Sequence, residues 1–349
     1  MSSDLEQKVF KGERLSGDDI RELFEADLLS LANMAQEVKR TKHPGREITY
    51  IIDRNINYSN ICLSECKFCA FYREKNDPEA YELDVEEIFQ KIEELKCDEG
   101  CQILMQGGLH PEKCLDFYEH LLKSIKQKFD IHIHGFSPPE IIHIARLSDL
   151  SINEVIKRLV GAGLGSIPGG GAEILSDRVR KTISPNKCTA DEWLDVMKTA
   201  HGQGLRTTAT MMFGHIETLE ERVEHLLRVR SLQDETGGFT AFIPWTFQPN
   251  HTELKGKAVS SYDYLRTLAV SRIALDNFDN IQASWVTQGD KIAQIALFFG
   301  ANDMGSTMME ENVVKAAGVS FRMTEQDICR LIEDIGLIPQ RRNTFYRPL

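Results

Sequence analysis

Short apolar runs alternate with longer amphipathic stretches along most of the chain. Eight runs rich in β-branched and aromatic residues read as strands. They are ITYIID (48–53), CQILMQ (101–106), IHIHGF (131–136), LGSIP (164–168), RTTATMMF (206–213), GFTAFIPW (238–245), IQASWV (281–286) and a weaker one at GANDMG (300–305). Between them apolar positions recur every three to four residues, the period of a helix with one buried face. Such segments lie at 85–96, 114–129, 190–204, 218–235 and 261–277. The leading stretch 17–41 reads as one amphipathic helix capped by Asp18 or Asp19. Strands alternating with helices pair in parallel through right-handed crossovers. The pattern therefore predicts an α/β fold, a (β/α)8 TIM-type barrel or a partial barrel. The barrel with a C-terminal extension occupies 46–349, after an N-terminal helical segment at 1–45. An open barrel of six strands is the alternative, because the eighth run is the weakest. No internal repeat or low-complexity linker divides the chain.

The barrel reading changes what the loops mean, because such barrels gather chemistry at the C-terminal ends of their strands. The unusual polar and glycine-rich segments all follow a strand: RNINYSNICLSECKFCAFYR (54–73), GGLHP (107–111), SPPE (137–140), PGGGAE (168–173), GHIET (214–218) and TFQPN (246–250). Together they predict one large site at a barrel mouth.

Composition narrows the partners. Of 349 residues, 42% are hydrophobic and 27% charged, enough for a single large core. The net charge of −12, from 41 basic and 53 acidic residues, repels phosphate backbones, and no basic block offsets it. No nucleic-acid partner is expected. No apolar run is long enough to span a bilayer, and MSSDLEQKVFKGERLSGDD lacks the apolar core of a secretory signal. These features predict a cytoplasmic protein without a membrane partner.

In a reducing cytoplasm the eight cysteines read as ligands or buried thiols rather than disulfides. Cys97, Cys101, Cys114, Cys188 and Cys329 read as small buried apolar side chains. Cys62, Cys66 and Cys69 differ, falling on one loop at C-x3-C-x2-C spacing. Thiolates suit iron–sulfur clusters or zinc. Three of them hold three corners of a [4Fe–4S] cube and leave one iron open. A zinc completed by a distant histidine, one of ten in the chain, is the alternative.

The C-x3-C-x-aromatic-C loop after the first strand resembles the radical S-adenosylmethionine (SAM) superfamily. IDRNINYSNICLSECKFCAFYR, LMQGGLHP, PGGGAEIL, SPNK, TATMMFGHIET, GFTAFIPWTFQPNHT, QASWVTQG and ANDMGSTMMEENV narrow the resemblance. They are similar to the futalosine-pathway enzymes of menaquinone biosynthesis, with FIPWTFQPN and WVTQG favouring the cyclic dehypoxanthine futalosine synthases. The paralogous families are aminofutalosine synthase and the radical enzymes of deazaflavin-cofactor synthesis. The resemblance implies a [4Fe–4S] cluster, SAM, the small-molecule substrate dehypoxanthine futalosine, and reduced flavodoxin or ferredoxin as electron donor. It implies a radical cyclase that abstracts the ribose C4′ hydrogen and joins C4′ to the benzoate ring. A non-catalytic iron–sulfur or zinc protein is the remaining rival.

The same resemblance assigns Cys62, Cys66 and Cys69 to the cluster and Phe68 to the adenine. Gly107 and Gly108 match the stretch that binds the SAM amino group, although Leu109 stands where a glutamate is usual. Ser137 and Glu173 match positions that hold the SAM ribose and amino acid; Glu173 equally suits a helix cap. Arg178 either reaches the SAM carboxylate or is an exposed helical arginine. For substrate the mouth offers Arg54, Asn55, Tyr58, His134, Gln248 and Thr287. His110, His215 and Glu217 are candidate proton-handling groups, since histidine and carboxylate pKa values can be tuned to such work. His132 and His134 alternate with Ile131 and Ile133 and so share one face of their strand. Met211 and Met212 read as core, and Gly169, Gly170 and Gly171 as a tight barrel turn.

Overall fold

A computed structural model describes residues 3–319 and 321–349. Its strands are β1 (Glu47–Ile51), β2 (Asp53–Asn57), β3 (Gln102–Gln106), β4 (His132–Gly135), β5 (Ser166–Ile167), β6 (Arg206–Phe213), β7 (Phe239–Thr246), β8 (Asn280–Ile281), β9 (Asp303–Ser306) and β10 (Ile338–Arg341). Strands β2 to β8 form a seven-stranded parallel sheet in chain order. A second parallel sheet places β1 between β10 and β9. The first predicted strand thus runs on to Asn57, interrupted at Ile52, and serves both sheets.

Hydrogen bonds join the two sheets into a ring. Asn302 N donates to Ile281 O, Ala283 N to Asp303 O, and Thr49 N to Asn302 O. The weak eighth run is therefore a genuine strand, and an α/β barrel forms. The barrel wall is thinnest where the strands are shortest, at β5 inside the large sheet and at β8 on the seam. The predicted strand IQASWV pairs over little of its length. Gln282 makes one bridge to Asp303, and Trp285–Gln288 coils into a helical turn in which Ser284 Oγ and Thr287 Oγ1 bond at 2.9 Å.

Helices follow most strands on the outside. Val85–Cys97 buries Ile88, Ile92 and Leu95 along one stripe and starts at a capping box of Asp84 and Glu87. The segments SPPEIIHIARLS and SINEVIKRLVGA also carry helices, Pro138–Ser148 and Ile152–Ala162. Paired prolines disguise the first, but proline is tolerated in a first turn, where no intrahelical N–H bond is lost. The leading stretch is two helices, Gly17–Leu23 and Leu28–Lys42. Ser16 caps the first with Asp19 reciprocating, and Asp27 caps the second. Leu28–Lys42 packs against Ser261–Ala274. Met211 and Met212 are buried in the core with Phe213, Phe242 and Phe278.

The last residues close the far end of the barrel. Beyond β10, Arg342 pairs through two nitrogens with buried Asp303. Thr344 Oγ1 donates to Gln102 Oε1 at 2.6 Å, and Phe345 stands edge-on to His132 at 5.2 Å. Gln102 and His132 begin β3 and β4, so this tail lies at the end opposite the cysteine loop.

Candidate active site

Side chains alternate across a strand, so Asp53, Asn55 and Asn57 face the barrel interior while Arg54 faces out. The interior holds a cavity of about 420 Å³ that runs from the cysteine loop to the tail. Cys62, Cys66 and Cys69 all line it. Cys62 Sγ accepts from Ser64 N at 3.4 Å and Leu109 N at 3.3 Å, and Ser64 Oγ lies 3.1 Å from Cys66 Sγ. Burial pushes the Cys62 thiol up and the Cys69 thiol to about 11. Lys187 Nζ is nearby: burial works against its charge, but Cys66 and Glu173 raise its pKa overall.

The donor set fits a cluster. Among the described residues no three His, Cys, Asp or Glu side chains gather as around a single metal ion. Three thiols around a shared cavity instead suit a cube, whose thiolates bind separate irons. His134 lines the same cavity but its Nδ1 is 2.6 Å from Ser166 Oγ, on a strand rather than beside the thiols.

The surroundings fit SAM as well. A Cβ on Gly107 would lie 2.4 Å from the Tyr58 ring, and one on Gly108 would lie 2.0 Å from Ile61 O. Only glycine lets this strip lie flat against the cysteine loop; Gly107 N and Gly108 N are spent on Glu140 Oε1 and Ser59 O, which leaves the carbonyls to accept from a ligand. Glu173 is buried with φ +41°; its Oε1 accepts from Lys187 Nζ at 2.8 Å, and its Oε2 has no hydrogen-bond partner. Arg180 Nη1 lies 3.7 Å from that oxygen, and Glu173 lines the cavity with Ser137 and Phe68, whose ring is 5.0 Å from Lys187 Nζ. An ammonium, a ribose hydroxyl and an adenine find suitable partners here.

Of the substrate candidates, Asn55, His134 and Thr287 line the cavity, and Asn55 Oδ1 is buried without a partner. His132 Nε2 lies 2.7 Å from the same Ser166 hydroxyl as His134. Burial lowers these two histidines to about 4 and about 3, so both are neutral at working pH.

The remaining candidates lie elsewhere, each for a local reason. Arg54 pairs with Glu94 and Glu310 on the outside of β2. Tyr58 lies beneath Gly107 and gives its hydroxyl to Glu140 at 2.7 Å. His110 is tied to Glu82 at 2.8 Å, and Gln248 turns back onto Thr246. Arg178 is half exposed on the helix Asp177–Ile183 and pairs with Glu221. His215 and Glu217 build the turn after β6, where Glu217 accepts from Gly214 N, His215 N and Arg222 Nε. Burial opposes its charge, but His215 and Arg222 hold Glu217 at about 2, a poor proton acceptor. Neither His215, Glu217 nor His110 lines the cavity. Of the five remaining cysteines only Cys188 is buried; Cys97 and Cys114 are exposed.

Several cavity residues escaped the sequence reading. Lys187 belongs to SPNK, a motif that carried no residue role, and Glu140 to SPPE, where only Ser137 was given one. Asp53, Gln102 and Gln106 follow from strict alternation along β2 and β3. Burial pushes Asp53 to about 6 against hydrogen bonds from Ser306 and Gln102. Arg342, Thr344 and Tyr346 line the cavity from the tail, which no strand signal connects to the mouth.

A cysteine-lined cavity at the mouth of a parallel β/α barrel defines a radical SAM enzyme. Residues 56–229 match the Radical SAM superfamily, and residues 236–349 match the CofH/MqnC C-terminal region. The chain is 45% identical over 343 residues to a cyclic dehypoxanthine futalosine synthase from Halalkalibacterium halodurans, covering 97% of this chain and 93% of that one. A synthase of the same name from Streptomyces coelicolor is 42% identical, covering 97% and 86%. A 5-amino-6-(D-ribitylamino)uracil–L-tyrosine 4-hydroxyphenyl transferase from Archaeoglobus fulgidus is 45% identical, covering 90% and 92%. Methylornithine synthase (PylB) shares the fold at TM-score 0.76 and 20% identity, covering 97% of each chain. The FeFe-hydrogenase maturase HydG from Carboxydothermus hydrogenoformans shares it at TM-score 0.77 and 19% identity, covering 99% of this chain and 80% of that one. The chain belongs to the radical SAM superfamily and, within it, to the CofH/MqnC family of the cyclic dehypoxanthine futalosine synthases and their paralogues. Its cofactors are a [4Fe–4S] cluster and SAM. Among the described residues no helix is long and apolar enough to cross a membrane.

Proposed function

We propose that this enzyme converts dehypoxanthine futalosine to cyclic dehypoxanthine futalosine in menaquinone biosynthesis. The ribose C4′ hydrogen atom passes to the 5′-deoxyadenosyl group, C4′ bonds to the benzoate ring, and the ring recovers aromaticity by giving one electron to oxidised ferredoxin or flavodoxin and one proton to solvent. The observation that carries the reading is the likeness to the Halalkalibacterium synthase, 45% identical across 97% of this chain. Trp245 and Thr287, from the FIPWTFQPN and WVTQG motifs, line the cavity.

Bound together, the cluster and SAM supply a 5′-deoxyadenosyl radical, after an electron from reduced ferredoxin or flavodoxin in the cytoplasm. The chain supplies placement and exclusion of water. Cys62, Cys66 and Cys69 hold the cluster. The carbonyls of Gly107 and Gly108, the Ser137 hydroxyl and the Glu173 carboxylate receive the polar groups of SAM, and Phe68 lies against its adenine. Lys187 balances the thiolate charge beside Cys66. Asn55, His134 and Thr287 hydrogen-bond the substrate, while Leu104, Ile243 and Trp245 form apolar wall around it.

Isotope transfer tests the reaction. Substrate deuterated at C4′ should give 5′-deoxyadenosine carrying the deuterium, together with cyclic product. Unlabelled 5′-deoxyadenosine at full turnover rejects C4′ abstraction. A second reading, that of the transferase, is favoured by 45% identity to the Archaeoglobus protein. Turnover of tyrosine with 5-amino-6-(D-ribitylamino)uracil, and none of the futalosine, would establish it instead.

A further inference from the structure

We infer that Glu140, at the third position of the helix after β4, is a positioning residue that sets the SAM-binding face of the cavity by holding the Gly107 backbone and Ser137 from behind. The inference rests on the placement of SAM along that strip and Ser137.

Glu140 is 3% exposed and binds three separate segments. Its Oε1 accepts from Tyr58 Oη at 2.7 Å and from Gly107 N at 3.0 Å. Its Oε2 accepts from Ser137 N at 2.7 Å and Ser137 Oγ at 2.5 Å. Tyr58 follows β2, Gly107 follows β3 and Ser137 follows β4, so one carboxylate ties three adjacent strand ends together. Four donors match the roughly four acceptor sites of an ionised carboxylate. Burial pushes the Glu140 pKa up, against these bonds.

Helix capping alone does not account for the arrangement. Glu87 and Glu154 cap their helices in the same box, but both are exposed and bond only to their own helix starts. Glu140 spends only one oxygen on its helix start; the other is turned to Gly107 and Tyr58. The consequence for a ligand is specific. Gly107 is held from below while Gly108 is pressed against Ile61 O, so the strip cannot tilt. Ser137 lines the cavity and gives its hydroxyl hydrogen to Glu140, so toward a ligand its Oγ can only accept, which suits a ribose hydroxyl donor.

Glu140→Gln keeps the shape but turns one acceptor into a donor facing donors. In full-length, cluster-loaded protein, equilibrium dialysis should show SAM binding weakened about tenfold, equal to about 1.4 kcal/mol. Iron per chain and the visible absorption of the cluster should stay at the unsubstituted level. KM for SAM should rise, while KM for the second substrate holds. Tyr58→Phe removes one donor outside the cavity and should weaken SAM binding about threefold. Ser137→Ala tests the placement of SAM itself. Weaker binding in Ser137→Ala with unchanged binding in Glu140→Gln would overturn the role of Glu140 alone. Unchanged binding in Ser137→Ala would remove the SAM placement and the inference with it. Should Glu140→Gln fail to fold or load iron, unchanged SAM affinity in Tyr58→Phe overturns the inference.

Discussion

Lys187 Nζ lies 2.8 Å from Glu173 Oε1 beside the cysteine loop, the carboxylate buried and the lysine side chain 14% exposed. The pair holds Glu173 in a left-handed backbone conformation, φ +41°, that a non-glycine residue adopts only when its surroundings enforce it. Lys187→Met leaves a buried carboxylate with Arg180 3.7 Å away as its nearest cation. Removing one partner of a buried pair costs about 3–5 kcal/mol. Urea unfolding should show a loss of that order, and Glu173→Gln added to Lys187→Met should restore part of it. A loss below about 1 kcal/mol would mean that the pair does not hold this loop.

Cys62→Ala, Cys66→Ala and Cys69→Ala should each lose the iron and the visible absorption of the cluster after anaerobic reconstitution. Cys97→Ala, at an exposed position, should keep both. A Cys69 variant with a full iron content and intact SAM cleavage would remove the cluster assignment.

Gly108→Ala would place a Cβ 2.0 Å from Ile61 O and 2.9 Å from Cys62 Cβ, so backbone must move at the cysteine loop. Iron loading should fall to under about half, since the first thiol shifts with that backbone. Gly161→Ala is the control, because nothing lies within 4 Å of its Cβ and it sits inside the helix Ile152–Ala162. It should stabilise by about 0.5–1 kcal/mol without altering iron content.

Arg342 and Asp303 form a second buried pair, at the floor of the barrel. Arg342→Met strands Asp303 and should cost about 3–5 kcal/mol. The double variant Arg342→Met with Asp303→Leu should recover much of it. Equal losses in the single and double variants would show that the tail, rather than the charge, is what matters.

Stability should fall as pH drops below 6.5. Burial lowers His132 and His201 to about 4, and His134 and His225 to about 3. A depressed folded pKa contributes stability that is present above the unfolded value and lost as pH falls through the folded one. The window is therefore from about 6.5 down to about 3. Asp53, raised to about 6, acts in the opposite sense: it favours the fold below the ordinary carboxylate value and loses that contribution as pH rises through 6. Burial also raises Glu140 and Glu311, which act in the same sense as Asp53; the four histidines set the direction, because each is moved far below its ordinary value at ~1.4 kcal/mol per pH unit. The urea midpoint should climb between pH 4 and 6.5, and His134→Gln should flatten part of that slope. A flat profile would contradict the burial of neutral histidines.

Local pattern alone determined the order of strands and helices, the cysteine loop and the row of polar loops after the strands. These are properties of neighbours in the chain: a period of two or of 3.6, a proline, a glycine, three thiols on one turn. Even the inward set Asp53, Asn55 and Asn57 was implicit in alternation, but which face is inward depends on how the sheet curls. That is why Arg54, on the same stretch, lies outside with Glu94 and Glu310. Tertiary structure alone decided which polar loop residues reach the cavity. His110, His215 and Glu217 spend their hydrogen bonds on holding loops, whereas Lys187 returns from beyond the helix Asp177–Ile183 to meet Glu173, and Glu140 reaches from the first turn of the helix after β4 to Gly107. It also decided that Arg342 and Thr344, far along the chain, form the barrel floor. A carboxylate buried in a barrel has to find its donors wherever the ring closes, and ring closure is not a local property.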